Sequence, residues 1–370
     1  MILKNATICN KNFDFEKADI EIKNGKIAHI GNLEGEHLDF SGCVILPGFI
    51  DIHIHGINMA DATDGKPESA ANMSKSLAKH GVTSFCPATM TIPVEEIIKS
   101  FEYIADTMGK EEGAYIHGIN MEGPFISPAK KGAQAEENII EPDFELFEKL
   151  NAICPVKLVD IAPEINGADE FIKKAKDMCT VSAAHTTADY ACLHSAIENG
   201  ISHATHLYNA MNGLTSREAG AVGAVLDSNS VTAELICDGI HISEPTLRIT
   251  FKALGEDRTV VISDAMMAAD LEDGEYTLGG QRVIKKGAAR LADGTLAGSA
   301  TNLFEEFQNI IEFGIPVKQA IKSVSINPAR VIGADKITGS IEEEKNADLL
   351  VLSEDMKTIK AVFVKGKRII

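Results

Sequence analysis

The chain has 370 residues, 45% apolar and 24% charged, with a formal charge of −19 at neutral pH. That length suits one large domain beside a smaller one, and the acidic balance argues against nucleic acid or an anionic membrane as partner. No apolar run is long enough to cross a bilayer, whereas a small anionic substrate stays open, because screening over about 8 Å lets a few local cations govern a pocket.

Residues 1–47 carry short alternating strands in "MILKNATICN", "ADIEIKNGKIAHIG" and "HLDFSGCVIL", with turn chemistry at Asn24–Gly25. The first residues lack the apolar core of a signal peptide. Seven scattered cysteines, none spaced as Cys-x-x-Cys, suit reduced thiols, so a cytoplasmic protein is expected. Candidate strands then follow at 48–55, 82–88, 115–122, 157–164, 180–185, 202–207, 232–238 and 259–265. Between most of them lie amphipathic stretches such as "ADEFIKKAKDM" (168–178) and "YACLHSAIENG" (190–200). Eight strand–helix units over this length predict a closed (β/α)₈ TIM-type barrel across residues 48–335. Residues 336–370 are strand-like again ("ADLLVL", "IKAVFVKGKRII"). Chain ends commonly lie close together, so 1–47 and 336–370 are expected to build one small β-sandwich-like domain. The alternative is an open doubly wound sheet. No Gly-x-Gly-x-x-Gly follows the first strand, which weakens a dinucleotide-binding version of it.

The first barrel strand, "PGFIDIHIHG" (47–56), places Asp51, His53 and His55 on alternate positions of an otherwise apolar run. Residues two apart on a strand share a face. In a barrel, chemistry collects at the C-terminal strand ends, where the sequence puts His53 and His55, then Glu122, His185, His206 and Asp264. Imidazoles with carboxylates suit zinc or a similar divalent metal. Each residue alone has a plainer reading. His-x-His is also found as a hydrogen-bonded core pair, His185 and His206 singly as loop residues, and Asp264 as a helix cap. Their joint placement on strands one, three, five, six and eight favours a metal. Asp51 reads as structural, bonding loop backbone. His203 is expected to face elsewhere, because its offset of three from His206 changes face.

"PGFIDIHIHG" resembles the first-strand signature of the amidohydrolase superfamily. Within it, "MEGPFISPAKKGAQ" (121–134), "APE" (162–164), "AHTTA" (184–188), "ATHLYNAM" (204–211), "ICDGIHI" (236–242), "SDAM" (263–266) and "LAGS" (296–299) are similar to the N-acetylglucosamine-6-phosphate deacetylase family. The resemblance implies a metal-dependent hydrolase acting on a phosphorylated amino sugar, with zinc as the expected ion and iron, manganese or cobalt as alternatives. It implies that Glu122, His185 and His206 hold the principal metal. His53 and His55 would form a second site bridged by Glu122, in a family where some members lack the pair and use one metal. The strand-four carboxylated lysine of other branches is missing, since Lys157 lies near that strand's start.

Asp264 would act as base and then acid, taking a proton from water and passing it to the departing nitrogen. Gln134 stands where many relatives have a histidine; it can donate to a carbonyl oxygen but cannot become cationic. Arg217, Asn209 and Ala210 would contact the phosphate, and His241 the substrate, in its own site or a neighbouring subunit's. A homodimer is expected. The galactosamine epimer's deacetylase, another amidohydrolase such as a dihydroorotase-type enzyme, and a metal-free scaffold are the competing readings.

Overall fold

The computed structural model describes all 370 residues. Its centre is a ring of eight parallel strands: β1 (Phe49–Ile54), β2 (Val82–Pro87), β3 (Ile119–Met121), β4 (Val156–Ile161), β5 (Thr180–Ala183), β6 (His203–Ala204), β7 (Thr232–Ile236) and β8 (Thr259–Ile262). β1 pairs with β2, and β3 to β8 pair in sequence order. Two seams complete the ring. Ala88 bridges Asn120 between β2 and β3, and the Asp264 N–H donates to the His53 carbonyl at 3.0 Å between β8 and β1.

The predicted third strand is broken. Tyr115–Ile116 pairs with β2, whereas Ile119–Met121 pairs with β4. Gly118 lies at the break with φ +145°, and a Cβ there would stand 2.3 Å from the Pro155 carbonyl oxygen. Only glycine fits such an approach. Helices cover the ring where the patterning places them. Ala168–Ala175 buries Ala168, Phe171, Ile172 and Ala175, one face at helical spacing. Tyr190–Asn199 is started by Asp189, whose carboxylate accepts the Cys192 N–H at 2.8 Å.

On β1 the alternation divides the strand between two environments. Ile50 and Ile52 meet Leu158, Ile236, Val260 and Ile262 inside the ring, with Ala329 and Ile332 beside them. Asp51 and His53 are both fully buried. Asp51 accepts the Ser263 hydroxyl at 2.5 Å and the His53 N–H at 3.3 Å. It therefore ties β1 to the residue that follows β8, the structural part expected of it.

Both chain ends contribute to one six-stranded sheet, in which Cys43–Pro47 pairs antiparallel with Leu349–Ser353. A second sheet of four strands comes from residues 2–39. Tyr115 joins this region to the barrel. Its hydroxyl donates to Asp348 at 3.2 Å, and the Lys365 ammonium lies 3.8 Å from its ring centre. His117 packs edge-on against the same ring, with centroids 4.7 Å apart.

Burial, and then the Lys157 and Lys365 charges, push the His117 imidazole down to about 3. The folded protein thus keeps His117 neutral at pH values where the unfolded chain protonates it. Its contribution to stability is full above about pH 6.5 and is lost as pH falls from there toward 3. His117→Gln removes that titration. Melting temperatures of the variant should fall less than those of the wild type between pH 6.5 and 4.5; parallel curves would refute the assignment.

Candidate active site and metal centre

The polar residues expected at the rim do meet there. His53 lies within β1, and His55, Glu122, His185, His206 and Asp264 lie one or two positions beyond the ends of their strands. His185, His206 and Asp264 all adopt positive φ, at 43°, 33° and 47°. Non-glycine residues pay for that conformation and keep it mainly where function requires it. The left-handed turn directs each side chain across the barrel mouth. Behind β5, the carboxylate of Glu164 (in "APE") accepts the Thr187 N–H at 2.6 Å and its hydroxyl at 2.8 Å, fixing the loop that carries His185.

Glu122 is the centre of the cluster. Its Oε1 lies 3.0 Å from His185 Nε2 and 3.1 Å from His206 Nε2, and those nitrogens are 3.1 Å apart. Its Oε2 lies 3.2 Å from His55 Nε2, which in turn is 3.3 Å from Asp264 Oδ1. Two groups of possible ligands result: Glu122, His185 and His206, and His53, His55 and Asp264.

Tautomers show what the cluster lacks. His185 Nδ1 lies 2.8 Å from the Lys130 carbonyl, which can only accept, so the neutral ring carries its proton there. Its Nε2 then turns a lone pair toward the Glu122 carboxylate. Buried lone pairs facing one another cost free energy unless a cation sits between them. His53 Nε2 also lacks any hydrogen-bond partner. The donor set of imidazole nitrogens and carboxylate oxygens fits a divalent metal.

The charges agree. Burial opposes ionisation of Glu122 and Asp264, yet the surrounding imidazoles hold Glu122 well below the usual carboxylate range and lower Asp264 as well. Burial also opposes the His55 cation, but Asp264 and Glu122 raise it to about 10. The two acids stay ionised and draw positive charge to the rim.

Above the cluster opens a cavity of about 480 Å³. Gln134, Asn209, Ala210 and His241 line it, as expected of substrate contacts. Gln134 is firmly oriented. Its Oε1 accepts the Thr91 N–H at 2.7 Å, so its Nε2 faces the site and donates to Glu122 Oε2 at 2.7 Å. His241 Nδ1 is held by Asp238 at 2.7 Å. Arg217 is absent from the lining and is exposed on the loop that follows Met211.

Several residues escaped the sequence reading. Lys130 and Arg290 add positive charge to the cavity wall, and Met90, Leu278 and Leu296 add apolar surface. Arg290 and Leu278 come from an unanticipated three-stranded antiparallel insertion after β8, spanning Gly274–Leu278, Gln281–Lys286 and Ala288–Arg290. Its signal was present: an alternating run around Gly279–Gly280 (both at positive φ) is hairpin chemistry. His203 does not turn to another face as expected. It points into the barrel, where its Nε2 lies 3.2 Å from Glu234 Oε1, because the turn at His206 breaks the strand alternation.

A family model described as "Amidohydrolase family" matches residues 44–369. The chain belongs to the amidohydrolase family. It is 36% identical over 374 residues to N-acetylglucosamine-6-phosphate deacetylase of Bacillus subtilis, covering 97% of this chain and 94% of that protein. The solved N-acetylglucosamine-6-phosphate deacetylase of Pasteurella multocida superposes with a TM-score of 0.93 at 29% identity, covering 99% of this chain and 98% of that one. A mutant of the Mycobacterium smegmatis enzyme, solved in complex with N-acetyl-D-glucosamine-6-phosphate, gives a TM-score of 0.93 at 27% identity, covering 100% and 99%.

Zinc supplied to chelator-treated protein should raise its melting temperature by several degrees, because the ion binds only the assembled rim. An unchanged melting temperature in excess zinc would show that the rim does not take the ion.

Proposed function

We propose that this amidohydrolase removes the acetyl group of N-acetyl-D-glucosamine 6-phosphate with water, giving D-glucosamine 6-phosphate and acetate. The reading rests foremost on the inward-turned lone pairs of His185 and Glu122 beneath a cavity with cationic walls. The family membership and the named relatives support it. They do not favour the galactosamine epimer, and the intact ligand and base set argues against a scaffold.

In this reading Glu122, His185 and His206 hold one ion, and His53 and His55 serve a second position beside Asp264. Zinc suits the nitrogen-rich donors best. When bound, the ion supplies water acidified to near neutrality and polarises the acetyl oxygen. Asp264 accepts the water's proton as the new C–O bond forms. It then returns that proton to the nitrogen as the C–N bond breaks, so that the sugar leaves as a neutral amine. The Gln134 amide, locked by Thr91, gives one N–H to Glu122 and keeps the other for the acetyl oxygen, where negative charge develops. Lys130, Arg290, His241 and Asn209 gather round the phosphorylated end, with the Ala210 backbone beside them.

Arg217 lies outside the cavity of its own chain, so its phosphate contact belongs to a homodimer in which it reaches the neighbouring site. A cytoplasmic place in amino-sugar breakdown or cell-wall recycling fits seven free cysteines.

Acetate release should be fast from N-acetylglucosamine 6-phosphate and slow from the unphosphorylated sugar. Asp264→Asn should keep the ion held by Glu122, His185 and His206 and lose about 10²–10⁴-fold in kcat; near-normal turnover would remove Asp264 as base. Arg217→Ala should raise KM for the phosphorylated sugar alone, and an equal loss on both sugars would take Arg217 out of the phosphate site.

A further inference from the structure

Beneath the rim, His53 is backed by two hydrogen-bonded residues, Glu234 and His203, to which the proposed reaction assigns no part. Glu234 projects from β7 into the barrel and is fully buried, as are His53 and His203. Its Oε2 accepts from His53 Nδ1 at 3.0 Å and from the His206 backbone N–H at 3.2 Å. Its Oε1 accepts from His203 Nε2 at 3.2 Å, and the opposite nitrogen of that ring, Nδ1, lies 2.6 Å from the Thr232 hydroxyl. One carboxylate therefore touches β1, β6 and a residue of the rim itself.

We propose that Glu234, steadied by His203, is the positioning residue that makes His53 a metal ligand and so gives the rim its second ion. The inference rests on reading the rim as a metal centre. A carboxylate only accepts, so the neutral His53 ring keeps its proton on Nδ1. Its Nε2 is left as a lone pair, 3.7 Å from Glu122 Oε1 and 3.6 Å from Asp264 Oδ1. No protein group meets that nitrogen. Two carboxylate oxygens and a buried lone pair at those separations leave space for a cation and none for a direct hydrogen bond.

Glu234 also sets His53 apart from His185. The ring of His185 is backed by a neutral carbonyl and that of His53 by a carboxylate, and an anionic partner raises the basicity of a ligating imidazole. Without Glu234, the His53 ring would be free to carry its proton on Nε2 and donate it to Glu122 or Asp264, turning a ligand into a donor. His203 does different work. Its N–H occupies the second carboxylate oxygen and stops the Glu234 side chain from rotating away from His53. The shared bond to the His206 amide fixes the spacing between the two halves of the rim.

The test is zinc stoichiometry and affinity by elemental analysis and chelator competition, with the visible spectrum of cobalt-loaded protein as a second readout. The wild type should take two ions per chain. Glu234→Leu should take one, with the absorption of the second cobalt equivalent lost. Glu234→Gln keeps an acceptor but no charge, so its second ion should bind about 10–100-fold more weakly. It decides the matter if the leucine variant fails to fold.

Glu234→Gln binding both ions at wild-type affinity would overturn the role of Glu234. A wild type that takes only one ion would overturn the second site with it. A wild type that takes none would instead overturn the metal reading on which the inference rests.

Discussion

The structure depends on an electrostatic demand at one carboxylate. Glu122 is buried among imidazole nitrogens, and the nearest of them, His185 Nε2, turns a lone pair toward it at 3.0 Å because the Lys130 carbonyl holds the ring proton on the other side. Such an arrangement is unfavourable in a protein interior unless a cation completes it. The barrel brings it about by ending three strands in left-handed turns, at His185, His206 and Asp264. Backbone strain, desolvation and lone-pair crowding meet at the same point, and one ion relieves much of the last two.

The interior below the rim follows from this demand. Barrel cores of this architecture are usually filled by branched apolar residues. Here other inward positions carry Asp160 with Thr205 and Ser182, and Glu234 with His203 and His53, while Asp51 ties β1 to Ser263 after β8. These pairs span neighbouring or facing strands, so the polar layer both closes the barrel and aims the ligands above it. Buried networks of this kind specify a single arrangement when their members are satisfied. Apolar filling is confined to one layer of the interior, where Ile50, Ile52, Leu158, Ile236, Val260 and Ile262 pack with Ala329 and Ile332.

The sequence was most legible where periodicity and chemistry coincide. All eight strands stand where the apolar runs place them, and the rim residues follow from reading off strand ends. Boundaries were less so: β6 is only His203–Ala204, because the turn that points His206 across the mouth ends the pairing early. The break in the third strand depends on a close approach at Gly118, which no local pattern encodes. Glu234 was unreadable for a related reason. A single acid inside "TAELICD" looks like any strand residue until β1 and β6 are folded against it. The hairpin after β8 had its Gly-Gly signal, but an eight-unit barrel already accounted for the chain. Arg217 was singled out by resemblance, yet its loop leaves it outside its own cavity.

The most direct test of the central claim is an anomalous-difference map at the zinc edge from crystals of zinc-loaded protein. The account predicts a strong peak between Glu122, His185 and His206 and a second beside His53, His55 and Asp264. A rim without a peak, in crystals that hold zinc elsewhere, would contradict the view that this barrel mouth is built around a metal.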